Sequence, residues 1–392
     1  MKKLLLIGIN TRSMLNSALK LNYEIYSTSY FSTSDMPTIK NQKIILNEKY
    51  DESCGLFEDN FNSENILEIS KDYIDEVDYI IPISGVSPSD FKKKDQKKIL
   101  GTRDVESIEN KYKFYKKIKN SILTPETFKI KDIKDAFEIN KNYPETKFIL
   151  KPLKGSGGYN INLLSEDIEL NNEEYIIQEY IDGINLSSSI LANKNNMQIL
   201  THSRLLTVND ISESNNFKYI GNILPLTKQS IITETKDIKE ITNKQEIICE
   251  ELAKKFNLIG SNGIDYILNE NGLYALEINP RLQGTYECIE KSFGINMLDA
   301  HIKTCQGQTI EIPKAKYYSY KKIIYSPTRM KYNEINENNI FDLPHVGSIT
   351  EKGEPLLTII DKDNDFEKLY KKVEKTSLNV EKQTKMHQLD IK

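Results

Sequence analysis

The stretch Asn262-Gly-Ile-Asp-Tyr-Ile-Leu-Asn-Glu-Asn-Gly-Leu-Tyr-Ala-Leu-Glu-Ile-Asn-Pro-Arg-Leu-Gln-Gly-Thr285 constrains this chain more than any other. Two short apolar runs, Ile264–Leu268 and Leu273–Ile278, flank the polar turn Asn269-Glu270-Asn271-Gly272, which is the pattern of a β-hairpin. Glu277 and Asn279 are two positions apart, so on a strand they share a face. A hairpin can bring Asp265 opposite them, putting three oxygen-bearing side chains on one surface. Two adjacent buried carboxylates are costly unless a cation neutralises them. Mg2+ bound to a polyphosphate suits such a cluster, because it wants oxygen ligands and takes few of them from protein. The competing reading is an exposed polar hairpin end without a ligand.

A second segment, Lys147-Phe-Ile-Leu-Lys-Pro-Leu-Lys-Gly-Ser-Gly-Gly-Tyr-Asn-Ile161, reads as strand, glycine-rich turn, strand. In its turn Gly155-Ser156-Gly157-Gly158 the glycines let backbone N–H groups approach an anion closely. Lys151 closes the preceding strand, where an ammonium can reach phosphate oxygens. No Gly-Lys-Ser/Thr ends the loop, so it is not a Walker A motif, and no G-x-G-x-x-G opens a helix. Alone, the turn also fits an ordinary hairpin tip. Next comes Tyr175-Ile-Ile-Gln-Glu-Tyr-Ile-Asp-Gly183, a strand able to offer backbone groups to an adenine edge and the Glu179 carboxylate to a sugar or base. Alone it too fits a plain strand end.

In this order, from Asn110-Lys111 through Lys-Pro and the Gly-rich loop to Gln-Glu-Tyr-Ile-Asp-Gly and Asp…Glu-Ile-Asn-Pro-Arg, the segments resemble the ATP-grasp superfamily over roughly residues 100 to 310. The resemblance implies ATP held between two α+β subdomains. Lys111 and Lys151 would contact phosphates, with Lys113 a weaker candidate, beside Gly155, Ser156, Gly157 and Gly158. Gln178, Glu179, Tyr180 and Ile181 would contact adenine and ribose. Asp265, Glu277 and Asn279 would face Mg2+, for which Mn2+ can substitute.

Within the superfamily the chain looks like the carboxylate–amine ligases and the group related to biotin carboxylase, some of which serve coenzyme biosynthesis in methanogenic archaea. This narrower likeness rests on Gly8-Ile-Asn-Thr-Arg12, on Glu-x-Asn-x-Arg-x-Gln at 277–283, and on a C-terminal Asp-Leu-Pro…Gly…Gly-x-Pro pattern. It implies an ADP-forming ligase that activates a carboxylate as an acyl phosphate and joins it to an amine. Lys151 and Arg281 would carry catalysis, Arg281 by holding an anionic acyl or phosphate group; a surface salt bridge is its alternative. In biotin carboxylase a second Glu, eight residues beyond the metal Glu, is the base toward bicarbonate. Thr285 stands at that position here, which weighs against the alternative of a carboxylase or carbamate-forming enzyme. A non-catalytic ATP sensor is the third reading, and it has no need of a full metal set. The implied partners are small-molecule carboxylate and amine substrates, with a homodimer allowed.

Composition bounds the rest. A net charge of −4, with dispersed charge, supplies no basic field for nucleic acid. No apolar run approaches the ~20 residues that span a bilayer. The opening Met1–Ile9 is expected to be a buried strand rather than a signal peptide, since Asn10-Thr-Arg12 interrupts it without a small-residue cleavage site. Cys54, Cys249, Cys288 and Cys305 are widely spaced and form no C-x-x-C unit, so zinc and disulfide frameworks are improbable and a cytoplasmic location is the default.

The expected organisation is α/β and α+β, an ATP-grasp fold in three parts. Residues 1–100 alternate strand and helix as a Rossmann-like parallel sheet. Gly8, Asn10, Thr11, Arg12, Ser84 and Gly85 fall beyond the carboxyl ends of its strands, where such sheets bind ligands. Arg12 there fits either an acidic substrate group or a solvated helix start. Residues 101–310 form the ATP-grasp domain, with a lid at about 124–182. The segment Thr201–Asn222, with Arg204 and Phe217, is a candidate for facing the substrate. Residues 311–392 form a small β-rich module and a terminal helix over Asp365–Lys375, frayed after Asn379.

Overall fold

A computed structural model of the chain describes residues 1–56, 61–155, 157, 158, 160–166, 168, 170, 173–208, 217–231 and 237–385. The N-terminal strands are β1 (Lys2–Gly8), β2 (Tyr23–Phe31), β3 (Asn41–Leu46) and β4 (Tyr79–Pro82), in a parallel sheet of order β3-β2-β1-β4. Leu4, Leu5, Leu6 and Ile7 are fully buried, because a parallel sheet is covered on both faces. The carboxyl ends of β1 and β4 aim Asn10, Arg12 and Ser84 at the central cleft.

The second sheet holds β5 (Thr127–Ile130), β6 (Phe148–Pro152), β7 (Asn162–Leu163) and β8 (Tyr175–Glu179), in the antiparallel order β5-β8-β6-β7. Its small core packs Phe148, Leu150 and Ile177 against Ala136 of the helix Ile133–Asn142. That helix starts at Asp132, whose carboxylate accepts from the N–H groups of Lys134 and Asp135.

The remaining strands are β9 (Ile184–Ala192), β10 (Met197–Thr207), β11 (Tyr219–Leu224), β12 (Gly260–Leu268), β13 (Leu273–Asn279), β14 (Tyr318–Tyr325), β15 (Met330–Lys331), β16 (Ile340–Phe341), β17 (Ile349–Thr350) and β18 (Pro355–Asp363). Eight of them form one sheet, β13-β12-β9-β10-β11-β14-β18-β16, and β15 pairs with β17. The C-terminal strands β14, β18 and β16 therefore extend the sheet that carries the hairpin β12–β13. The helix Ile238–Lys255 buries Cys249, Leu252 and Ala253 in the cluster that also holds Ile264 and Tyr266. The helices Tyr286–Phe293 and Met297–Cys305 share a core with Leu4, Leu6 and Leu15, locking the N-terminal sheet to the large one.

The terminal helix runs from Phe366 to Lys385, ten residues beyond the expected end. Leu369, Val373, Val380 and Thr384 keep its buried stripe going at helical spacing, so Glu381, Lys382 and Lys385 lie on the exposed face of a packed helix, while residues 386–392 of the expected frayed end lie outside the described residues. Among the described residues, no helix is long and apolar enough to cross a membrane.

Candidate active site

Strands β12 and β13 form the expected hairpin. Asp265 of β12 lies directly opposite Glu277 of β13, and Gly263 lies opposite Asn279. Opposed residues share a face of the sheet, so both carboxylates and the amide point into the same cleft. Asp265 Oδ1 accepts from Ser187 Oγ at 2.7 Å and Oδ2 from Asn279 Nδ2 at 2.9 Å. Burial and the neighbouring Glu277 charge together push the Asp265 carboxyl well above its ordinary range. Among the described residues no three His, Cys, Asp or Glu side chains form a group that could hold a metal. The donor set is thus two facing carboxylates and an amide, all oxygen, which fits a hard cation that takes its other ligands from phosphate and water.

Two lysines approach this pair from the opposite wall. Lys111 Nζ donates to Gly155 O at 2.7 Å and lies 3.9 Å from Glu277 Oε2. Its backbone N–H donates to Leu153 O, tying the helix Lys111–Ile118 to the end of β6. Lys151 Nζ donates to Gln178 Oε1 at 2.7 Å, and Gln178 Nε2 donates to Thr127 Oγ1 at 2.9 Å. Burial lowers the Lys151 pKa to about 8, against the pull of Glu277. Burial likewise lowers that of Lys111. Each lysine is a buried cation with no carboxylate within hydrogen-bond distance, Lys111 having only the looser pair with Glu277, a state that a phosphate would relieve. Lys113 instead pairs with Glu106 at 2.8 Å and does not line the cleft.

The glycine-rich turn closes over these groups. Gly155, Gly157 and Gly158 all have positive φ. Gly157 O accepts from Tyr219 N at 3.2 Å, and a Cβ on Gly158 would stand 2.1 Å from Phe217 O. Close backbone approach to β11 therefore requires glycine at 158. Ser156 lies outside the described residues. Beyond the turn, Gln178, Glu179, Tyr180 and Ile181 line the cleft. Glu179 Oε2 accepts from Glu126 N at 3.1 Å, so part of that carboxylate is engaged locally. Tyr180 N donates to Lys147 O.

The other end of the cleft holds groups that sequence reading missed or left open. Arg12 is 1% exposed. It donates through Nη1 and Nη2 to both oxygens of Glu287 at 2.9 Å, and through Nε to Asp342 at 2.7 Å, with Asp35 3.4 Å away. Its guanidinium charge is balanced by protein carboxylates, which engage three of its N–H groups, so Arg12 is a buried brace rather than a free substrate anchor or a solvated helix start. Arg204 donates to the carbonyls of Ser230 and Ile231 and does not line the cleft, whereas Thr207, Phe217 and Tyr219 do. Thr285 is buried and hydrogen-bonds with Ser189 and Gln283, leaving a neutral hydroxyl cluster at that position. Arg281 Nη1 donates to Asn279 Oδ1 at 2.6 Å, which aims its guanidinium along the hairpin β12–β13. Asp342 and Lys321 also line this end. Asp342 opens the Asp-Leu-Pro pattern noted in the sequence, but nothing local marked it or Lys321 as a cleft residue, since both reach the cleft through the C-terminal strands. The whole cleft measures about 1030 Å³, ample for a nucleotide and a small acceptor.

A parallel sheet, a small antiparallel sheet and a carboxylate hairpin facing two lysines are the parts of an ATP-grasp architecture. A family model for the ATP-grasp domain matches residues 108–285. The uncharacterized protein MJ0776 of Methanocaldococcus jannaschii is 32% identical over 371 residues, covering 92% of this chain and 88% of its own length. Tyramine–L-glutamate ligase of the same organism is 31% identical over 157 residues, 39% of this chain and 41% of that one. Carboxyaminoimidazole ribonucleotide synthase of Aspergillus clavatus, solved with ATP, superimposes with a TM-score of 0.75 at 12% identity, covering 97% and 98% of the two chains. The chain belongs to one family with MJ0776 and carries the ATP-grasp domain over residues 108–285.

Proposed function

We propose that this ATP-grasp ligase is ADP-forming and joins a carboxylic acid to an amine. A substrate carboxylate oxygen attacks the γ-phosphorus of ATP, and ADP departs. The amine nitrogen then attacks the acyl phosphate carbon, inorganic phosphate leaves, and the nitrogen loses a proton. Such chemistry depends on positioning and charge neutralisation rather than on a protein nucleophile. Lys111 and Lys151 would hold the phosphates, and Arg281 would hold the acid against the γ-phosphate. Tyr180 and Ile181 would meet the adenine edge. Asp265, Glu277 and Asn279 would hold Mg2+, which when bound neutralises phosphate charge. Enforced proximity of this kind can contribute on the order of 7–11 kcal/mol to lowering the barrier. The lid turn would shield the acyl phosphate from water.

One observation favours the ligase over the carboxylase: the position eight residues beyond Glu277, where biotin carboxylase has its base, holds no carboxylate. Thr285 is neutral, and Glu287, two residues on, has both oxygens engaged by Arg12. The partial match to tyramine–L-glutamate ligase, an enzyme named for an amine and an amino acid, agrees with this reading. The test is interception. With ATP, Mg2+ and the right acid, hydroxylamine should yield a hydroxamate without added bicarbonate. ATP turnover that requires bicarbonate and yields no hydroxamate would overturn the proposal.

A further inference from the structure

Strand β14 carries two adjacent lysines whose side chains go to opposite faces of the sheet. Lys322 points toward the terminal helix and is neutralised by Glu374 at 2.8 Å. Lys321 is half-buried and lines the acceptor end of the cleft. Among the described residues it makes no side-chain hydrogen bond and no ion pair within 4 Å. Asp342, a carboxylate on which its charge acts, already accepts from Arg12 and Asn10. A lysine left this way in a cleft is an anion site in search of its anion.

Its position is firmly set. In the ladder Lys321 pairs with Asn222 of β11 and Ile360 of β18. Next to that pair, a Cβ on Gly221 would stand 1.9 Å from Lys321 O, so the two backbones meet more closely than any other residue allows. Asn222 is fully buried, accepts from Tyr219 Oη at 2.7 Å, and has an unpartnered Nδ2. Tyr219 in turn packs at Gly284, three residues beyond Arg281. The path Arg281–Gly284–Tyr219–Asn222–Lys321 thus joins two cations across the acceptor end, with Tyr219 between them. Glu287 and Asp342, which also line the cleft, are already paired with Arg12, so neither is a counter-ion held by Lys321 alone.

We propose that Lys321 is a specificity residue that binds a second anionic group of the acid substrate, so that the enzyme takes dianionic acids: one carboxylate at Arg281 is activated while the other anion stays on Lys321. This rests on the ligase reading for what happens at Arg281, but its binding component does not require turnover.

The experiment measures binding calorimetrically to the full chain loaded with Mg2+ and a non-hydrolysable ATP analogue. The probes are succinate, glutarate and adipate against butyrate, valerate and hexanoate, with 4-phosphonobutyrate as a phosphonate counterpart. At least one dianion should bind tenfold or more tightly than its monoanionic partner. Lys321→Met should abolish that difference while leaving monoanion affinity unchanged, and Lys321→Arg should retain part of it. Whether glutarate or 4-phosphonobutyrate gains more identifies the second group. No preference for any dianion, or an equal loss for both classes in Lys321→Met, overturns the proposal. Acids that bind with this preference yet release no ADP and form no hydroxamate would count against the ligase reading instead.

Discussion

Arg12 and Glu287, 275 positions apart in sequence, form two parallel hydrogen bonds of 2.9 Å at the acceptor end of the cleft. A guanidinium fork meeting a carboxylate in this way fixes orientation as well as distance. The pair joins the N-terminal sheet to the first turn of the helix Tyr286–Phe293, while Asp342 ties the same guanidinium to the C-terminal strands. Three parts of the chain therefore meet on one buried cation.

Arg12→Met should be strongly destabilising, because it leaves Glu287, Asp342 and Asp35 facing one another without their shared counter-charge. Breaking a buried pair typically costs about 3–5 kcal/mol, which urea unfolding would read. Adding Glu287→Met should recover part of the loss. A stability change under ~1 kcal/mol in the single variant would show that the brace contributes little.

Glu277→Gln keeps the shape of the hairpin and removes one charge from the carboxylate pair. Turnover is expected to drop at least ~100-fold, roughly 2.7 kcal/mol on the barrier, with the unfolding midpoint nearly unchanged. Near-normal turnover would mean that the cation sits elsewhere.

The lowered pKa of Lys151 predicts a pH dependence for nucleotide capture. In the proposed role Lys151 would bind phosphate as the ammonium, and in the free protein that form gives way to the neutral amine above about pH 8. Affinity for ATP should be level below that pH and fall by up to tenfold per unit above it, in the absence of other titrations. In Lys151→Arg the decline should vanish, since a guanidinium stays charged. A decline that persists unchanged in that variant would assign it to another group.

Gly158→Ala tests the closure of the glycine-rich turn. The added methyl would meet Phe217 O at 2.1 Å on a backbone with φ of +79°. Displacing the turn should raise the KM for ATP by about tenfold or more, equivalent to ~1.4 kcal/mol. Gly155→Ala has open space around its Cβ and is strained only by its φ of +127°, so its effect should be smaller. Equal effects from the two would remove the contact with β11 from the explanation.

The nucleotide half of this protein was legible in the sequence because its groups lie in short continuous segments. The alternation around Asp265 and Glu277 defines a hairpin, which was legible, but the turn's register alone would set Asp265 opposite Leu276. A β-bulge between Asp265 and Tyr266 shifts the ladder by one and brings the two carboxylates face to face, so only the hairpin itself could be read in advance. Equally legible were Lys151 at the end of a strand before a glycine turn and the buried strand Lys2–Gly8. Helix ends were less legible: the terminal helix continues because tertiary packing buries Val380 and Thr384, and composition alone carries no record of that contact.

The acceptor half was decided only by tertiary structure. Arg12 could be read as a substrate anchor or a surface residue, and it became neither, because Glu287 and Asp342 arrive from 275 and 330 positions away. Lys321 and Lys322 are chemically identical neighbours in the sequence. The sheet alone gives one of them a carboxylate and leaves the other in the cleft, since strand pairing sets which face each side chain takes and long-range packing sets what waits there.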